Sequence, residues 1–136
     1  MHKFLVSGIA VLAALALAGA AWAAHAVVAQ PQLPPGWSHA EINVIVRGVP
    51  HTLVYDRGRV QAVTTSSITL RERDGSSVTI NVSPTSKVTI DGTPASLSQV
   101  RRFEMATTLQ IDGAPATRVT VRIPPALAAR LGAGTP

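Results

Sequence analysis

Residues 58–82 read GRVQAVTTSSITLRERDGSSVTINV, and the fold is decided there. Two alternating runs, Ile68 to Arg73 and Ser77 to Val82, flank the pair Asp74-Gly75. Val78, Ile80 and Val82 point one way in the second run, while Ser77, Thr79 and Asn81 point the other. Ile68 and Leu70 of the first run face the same core and Arg71 and Arg73 face solvent. An Asp-Gly pair between two such runs predicts a hairpin closed by a type I′ turn, in which both central residues take positive φ. A hairpin buried on one face needs a cover, and the rest of the chain reads as that cover.

Working outward, the composition suits a small β domain. The chain has 136 residues, room for one domain once an N-terminal leader is set aside. Aromatics make up only 4%, so the core must be built from Val, Ile and Leu. There is no cysteine, which excludes a disulfide framework, a thiolate metal site and a thiol nucleophile. Formal net charge is +5, and ten of the twelve basic residues are Arg, with no run longer than Arg101-Arg102. Such a spread suits solubility and, as a specific partner, an anionic surface.

Residues 1–23 have the pattern of a secretory signal. Lys3 supplies the charged start, Phe4 to Ala18 the apolar stretch, and Ala21-Trp22-Ala23 a small-x-small site with cleavage before Ala24. Ala24-His25-Ala26 is a second such site, and an uncleaved N-terminal membrane anchor is the alternative reading. Both place the domain outside the cytoplasm. Residues 24–40 hold Pro31, Pro34 and Pro35 and read as an extended linker, with Trp37 as a foot on the domain that follows.

That domain is expected over residues 41–123. Glu41 to Arg47 alternates and begins it; Gly48-Val49-Pro50 breaks the run, Thr52 to Tyr55 resumes it, and Asp56-Arg57-Gly58 reads as a turn. Arg59 to Thr64 carries a bulge or sharp bend. Beyond the central hairpin, Ser83-Pro84-Thr85-Ser86 reads as a turn and Lys87 to Ile90 as a short strand. Ser96 caps a single helical turn holding Leu97 and Val100. Phe103, Met105, Thr107, Leu109 and Ile111 alternate over a long strand, with Phe103 read as buried, and Val119, Val121 and Ile123 line the inner face of the last one. Residues 124–136 read as one short helical turn and a disordered tail.

The expected fold is therefore all-β: a small antiparallel, partly closed OB-like barrel of six or seven strands with one short helical turn, preceded by the signal helix. The loops are short enough that antiparallel pairing is the economical choice throughout.

Gly58-Arg59-Val60, Ile68-Thr69-Leu70, the Asp74-Gly75 hairpin, Val78-Thr79-Ile80-Asn81-Val82, Thr85-Ser86-Lys87-Val88-Thr89-Ile90 and Ala95-Ser96-Leu97 lie along residues 58–121. Through these the chain resembles a family of small bacterial export-associated domains of unknown function. The resemblance implies an OB-like or similar small barrel and no catalytic signature. It departs from that pattern at Arg101-Arg102, where a Gly-Asp turn usually precedes the penultimate strand.

No catalytic set stands out. There is no G-x-S-x-G, and past the leader the histidines are His25, His39 and His51. His51 with Asp56 is the one pair with the look of an oriented base. His39 and His51 lack helical or hairpin ligand spacing, the Asp-Gly pairs lack the further acids of a calcium loop, and no Gly-rich phosphate loop is present. No metal and no cofactor are therefore expected. Single-strand nucleic-acid binding needs aromatic platforms in a basic groove, and the chain past the leader has three main aromatics, Trp37, Tyr55 and Phe103. The functional expectation is an exported, non-enzymatic binding or structural module of the cell envelope. Its partner would be an anionic envelope polymer or lipid, or another envelope protein, and not nucleic acid. Arg71, Arg73, Arg118 and Arg122 fall on outward positions and are the candidate anionic contacts. The alternative is an exported hydrolase using His51, Asp56 and a strand-end serine.

Overall fold

A computed structural model describes residues 32–132; the segment read as a signal, most of the expected linker and the tail from residue 133 lie outside them. The chain runs β1 (His39–Val46), β2 (Val49–Val63), β3 (Ser67–Arg71), β4 (Ser77–Ile90) and β5 (Thr93–Ala95). A 3₁₀ turn (Leu97–Gln99), β6 (Met105–Ile111), β7 (Ala116–Arg122) and helix α1 (Pro125–Gly132) follow. Five strands close a ring in the order β2-β3-β4-β7-β6, with β6 returning to β2. That is the strand order of an OB barrel, so the expected architecture is present and its ring is complete. β1 lies outside the ring, paired to the first half of β2, and β5 pairs the end of β4.

One side of the central hairpin fills the ring as expected. Ile68, Leu70, Ile80 and Val82 are buried, joined by Val60, Val88, Val100, Ala106, Ala116, Val119 and Val121. Branched aliphatics on a pleated, half-buried surface are what a narrow barrel can hold, since they fill it without polar atoms that need partners.

Several local readings are corrected. The Asp74-Gly75 turn is not type I′. Glu72 N–H bonds to the Ser76 carbonyl and Gly75 N–H to the Glu72 carbonyl, so three residues form the loop, with Gly75 alone in the left-handed region at φ 90°. The Asp74 carboxylate accepts from both the amide and the hydroxyl of Ser76 and holds that arrangement. The type I′ signature, positive φ at both central residues, occurs instead at Arg47-Gly48, Asp91-Gly92 and Asp112-Gly113. The break assigned to Gly48-Val49-Pro50 shrinks to the first of these turns, and β2 starts at Val49. β1 starts at His39, so the linker ends two residues early.

Asp56-Arg57-Gly58 is strand, not turn: opposite these residues on β6 lie Thr108, Thr107 and Ala106. Gly58 marks where β2 exchanges β1 for β3 on its other side. A Cβ at Gly58 would lie 2.5 Å from the Arg71 carbonyl oxygen and 2.9 Å from its carbon, so the two backbones approach as only glycine allows. The expected irregularity further along is present as a bulge between Val60 and Ala62. Ser83-Pro84-Thr85-Ser86 likewise stays inside one 14-residue strand. β4 leaves β3 after Asn81 and takes β7 as partner, with a register shift between Val82 and Lys87. Pro84, which has no N–H to donate, sits in that shift.

The pairing of β4 with β7 is parallel, which corrects the expectation of antiparallel pairing throughout. The two strands are not joined by a short loop; β5, the 3₁₀ turn and β6 intervene, which leaves the chain free to return in the same direction. Phe103 is not buried. It sits before β6 at φ 75°, 54% exposed, with the Arg102 guanidinium 5.3 Å from its ring centroid. Its N–H bonds to the Val60 carbonyl, while Val60 N–H bonds to the Glu104 carbonyl. Glu104, Ala106 and Thr108 are the buried residues in this stretch, and Phe103 shares the outward parity of Met105 and Thr107. Leu109 is buried as well, beside Tyr55 in the β2–β6 register and outside the main cluster.

Two glycine substitutions separate close approach from backbone conformation. Gly58→Ala forces a methyl against the Arg71 carbonyl, and overpacking of this kind costs about 1–3 kcal/mol. A Cβ at Gly75 meets nothing within 4 Å, so the cost of Gly75→Val is chiefly that of left-handed backbone, about 1–2 kcal/mol. Urea unfolding of both variants is expected to show both losses. A Gly58→Ala midpoint equal to the parent's would mean that β2 and β3 do not approach as described.

Candidate functional site

The arginines of β2 and β3 are brought together by register. Arg59 stands directly opposite Arg71. On its other side Arg59 is opposite Met105, which in turn is opposite Arg122. One lateral row of outward positions thus runs Arg71, Arg59, Met105, Arg122. Like charges directly across a strand pair oppose folding, so the Arg59–Arg71 juxtaposition is a local cost in the free protein.

An open groove of about 420 Å³ lies over part of this row. Arg57, Arg59, Arg71 and Arg73 line it, together with Gly58, Glu72, Met105 and the turn Gly36-Trp37. Trp37 is half-buried, and the Arg57 guanidinium lies 5.7 Å from its ring centroid, within cation–π range. The foot expected at Trp37 is therefore in place. The Arg73 guanidinium fills the space beside Gly36 where a side chain would otherwise stand. Among the described residues, no ion pair involves any of these four arginines.

Of the four arginines singled out from the sequence, Arg71 and Arg73 line the groove, and Arg122 ends the register row without lining it. Arg118 is half-buried opposite Leu109, which itself lies beside Tyr55. Burial pushes the Tyr55 phenol above its ordinary value and the charge of Arg118 pulls it back in part. The Tyr55 hydroxyl is buried without a hydrogen-bond partner. Arg57 was missed because Asp56-Arg57-Gly58 read as a turn, and Arg59, read as the first residue of the next strand, was thereby cut off from its outward alternation with Arg57.

The histidine pairing is corrected as well. His51 does not meet Asp56, since five residues along a strand put the two on opposite faces. His51 Nδ1 lies 2.6 Å from Asp112 Oδ2, and the other oxygen of that carboxylate accepts the Thr52 amide at 2.8 Å. Asp56 meets His39, at 2.7 Å from Nδ1. Asp56 is 3% exposed, and its hydrogen bond holds the His39 imidazole above its ordinary value against the opposing effect of burial. Counting outward from the Arg47-Gly48 turn pairs His39 with Asp56, so the sequence did carry that signal. Among the described residues, no serine hydroxyl bonds to a histidine, and the pair named for the hydrolase reading is not formed.

Comparison of the chain with family models, curated proteins and solved structures finds no match.

The His51–Asp112 contact ties the β1–β2 hairpin to the β6–β7 turn and makes a pH prediction. The Asp112 carboxyl is held below its ordinary value of 3.8, first by His51 and then by the Thr52 amide. A carboxyl depressed in the folded state stabilises the fold above its unfolded pKa and loses that contribution as pH falls through its folded pKa. Asp112→Asn is therefore expected to melt below the parent at pH 7, with the gap closing as pH falls beneath 3.8. A gap of constant size across that range in thermal melts would contradict the assignment.

Proposed function

We propose that the domain is an exported, non-enzymatic binding module whose arginine groove takes a phosphate-bearing anion of the cell envelope. The phosphodiester of a polymer and the headgroup of an anionic lipid share the chemistry required. The observation that carries this reading is the directly opposed Arg59–Arg71 pair, flanked by Arg57 and Arg73 and free of carboxylate partners. An anion between two such guanidiniums replaces repulsion by attraction. The planar fork of Arg grips phosphate oxygens through paired hydrogen bonds while its stem packs on the sheet. Trp37, held under Arg57, gives the groove an apolar wall. The N-terminal leader pattern supports export, and the resemblance to export-associated domains agrees with it.

Co-sedimentation with anionic vesicles and binding of soluble polyphosphate distinguish the two sources. Binding is expected at low salt and is expected to weaken steeply as the screening length shortens to about 8 Å at 0.15 M. Arg71→Glu with Arg73→Glu should abolish it, and Arg122→Glu, outside the groove, should leave most of it. A single-stranded oligonucleotide serves as a third arm, and its preference over both others would overturn the envelope assignment. Equal binding by the parent and the Arg71/Arg73 variant would remove the groove from the account.

A further inference from the structure

Beneath the arginines, the same end of the barrel gathers a second set of groups with the opposite charge. His39 of β1, Asp56 of β2 and Glu72 just past β3 each offer a ligating atom, and these atoms all lie within 4.8 Å of one another. His39 and Asp56 are directly opposite in the β1–β2 register. Glu72 follows Arg71, whose carbonyl runs close past Gly58, two residues beyond Asp56. A fourth group, Glu41, shares the His39 face of β1 and places Oε1 3.5 Å from His39 Nε2.

The charge count is the first argument. Three carboxylates surround one imidazole, so even a protonated His39 leaves two negative charges among these four groups, with the groove arginines on the far side of Glu72. Asp56 is 3% exposed, and Glu72 is half-buried. Among the described residues, no arginine or lysine pairs with either. A carboxylate as withdrawn from water as Asp56 needs a cation, which is either the protonated His39 or a metal ion that takes the place of the shared proton.

Donor chemistry is the second argument. We propose that His39 Nδ1, the Asp56 carboxylate and the Glu72 carboxylate bind a divalent transition-metal ion, with Glu41 positioning the imidazole through Nε2. One imidazole nitrogen and two carboxylate oxygens suit zinc and its neighbours in the first transition row. Metal–ligand bonds of about 2.0–2.2 Å set the donors of a tetrahedral ion about 3.3 Å apart, so the 2.7 Å His39–Asp56 contact opens and the wider separations, up to 4.8 Å, close by side-chain rotation. The His39–Asp56 hydrogen bond opens slightly as the ion takes the place of the shared proton. A carboxylate on the second ring nitrogen is the partner that metal-bound imidazoles commonly keep, since it fixes the tautomer and the ring plane. Three protein ligands leave one position of a tetrahedral ion for water.

The site shares Glu72 with the groove, but its test uses Zn²⁺ alone, so its failure leaves the anion reading standing. Isothermal titration of the intact protein with Zn²⁺ alone is expected to show one equivalent bound at His39, Asp56 and Glu72. Co²⁺ is expected to give the visible absorption of a low-coordinate nitrogen–oxygen site. Glu72→Gln leaves the His39–Asp56 bond intact and should weaken binding at least tenfold; His39→Gln should do the same or worse. Glu41→Gln should weaken it about tenfold, as loss of an outer partner does. His51→Gln, the control for the exposed His51–Asp112 pair, should bind as the parent does. The proposal is overturned if the parent takes up no stoichiometric Zn²⁺, if Glu72→Gln binds as tightly as the parent, or if His51→Gln alone removes the ion. Circular dichroism of each variant confirms that the barrel is intact, and Glu72→Gln keeps the test decisive should His39→Gln unfold.

Discussion

Strand β2 must satisfy three neighbours along 15 residues, and the rest of the molecule follows from how it does so. Its first part pairs with β1, its second with β3, and its middle with β6 on the other edge. An edge that changes partner midway must let one backbone in as it releases another, and Gly58 is where this happens. With β6 held on the far edge, the sheet curls until β4 meets β7 and no ring strand is left with an open edge. Burial of the aliphatic side chains inside the ring is the stabilising term that this geometry makes available.

The same exchange of partners builds the candidate site. The end of β1 brings His39 to Asp56, the arrival of β3 brings Arg71 to Arg59, and Glu72 lies beside both. Cations face outward along the row and carboxylates gather at the partly buried end, because alternate residues of one strand point to opposite sides. Arg57 and Arg59 on one side and Asp56 on the other are a direct result of that period. The groove and the histidine–carboxylate cluster are thus two products of one backbone feature, and Glu72 belongs to both.

What could be read from the sequence was what local periodicity controls. The buried faces of β3 and β4, Val119 and Val121 on the inner face of β7 and the helical turn after Ser96 all follow from spacing, and the structure has them, while Ile123 lies past the end of β7 and is half-buried. What could not be read depends on partners distant along the chain. Asp56-Arg57-Gly58 and Ser83-Pro84-Thr85-Ser86 carry turn-forming residues, yet β6 pairs the first along its length, and β7 pairs Val82 and Lys87 on either side of the second. The direction of the β4–β7 pairing is set by barrel closure, which no local pattern encodes. Phe103 was misplaced because it shares its parity with the buried Leu109, whereas Glu104, Ala106 and Thr108 are the buried residues up to that point and the pattern breaks only where Thr108 and Leu109 are both buried. His39 and Asp56 are 17 residues apart, and their meeting was hidden by a break assigned three residues long where the turn has two.

The central claim is that β2 and β4 each carry a seam of one closed ring, antiparallel to β6 and parallel to β7. Interstrand nuclear Overhauser contacts measured on isotope-labelled protein test it directly. The account predicts close Hα–Hα contacts characteristic of antiparallel strands along the β2–β6 seam, around Arg57 and Thr107. It predicts amide-to-Hα contacts without such Hα–Hα pairs where Val88 and Val119 lie side by side. A β4–β7 seam with the antiparallel pattern, or with no contacts at all, would contradict the closed ring and the placement of the site that rests on it.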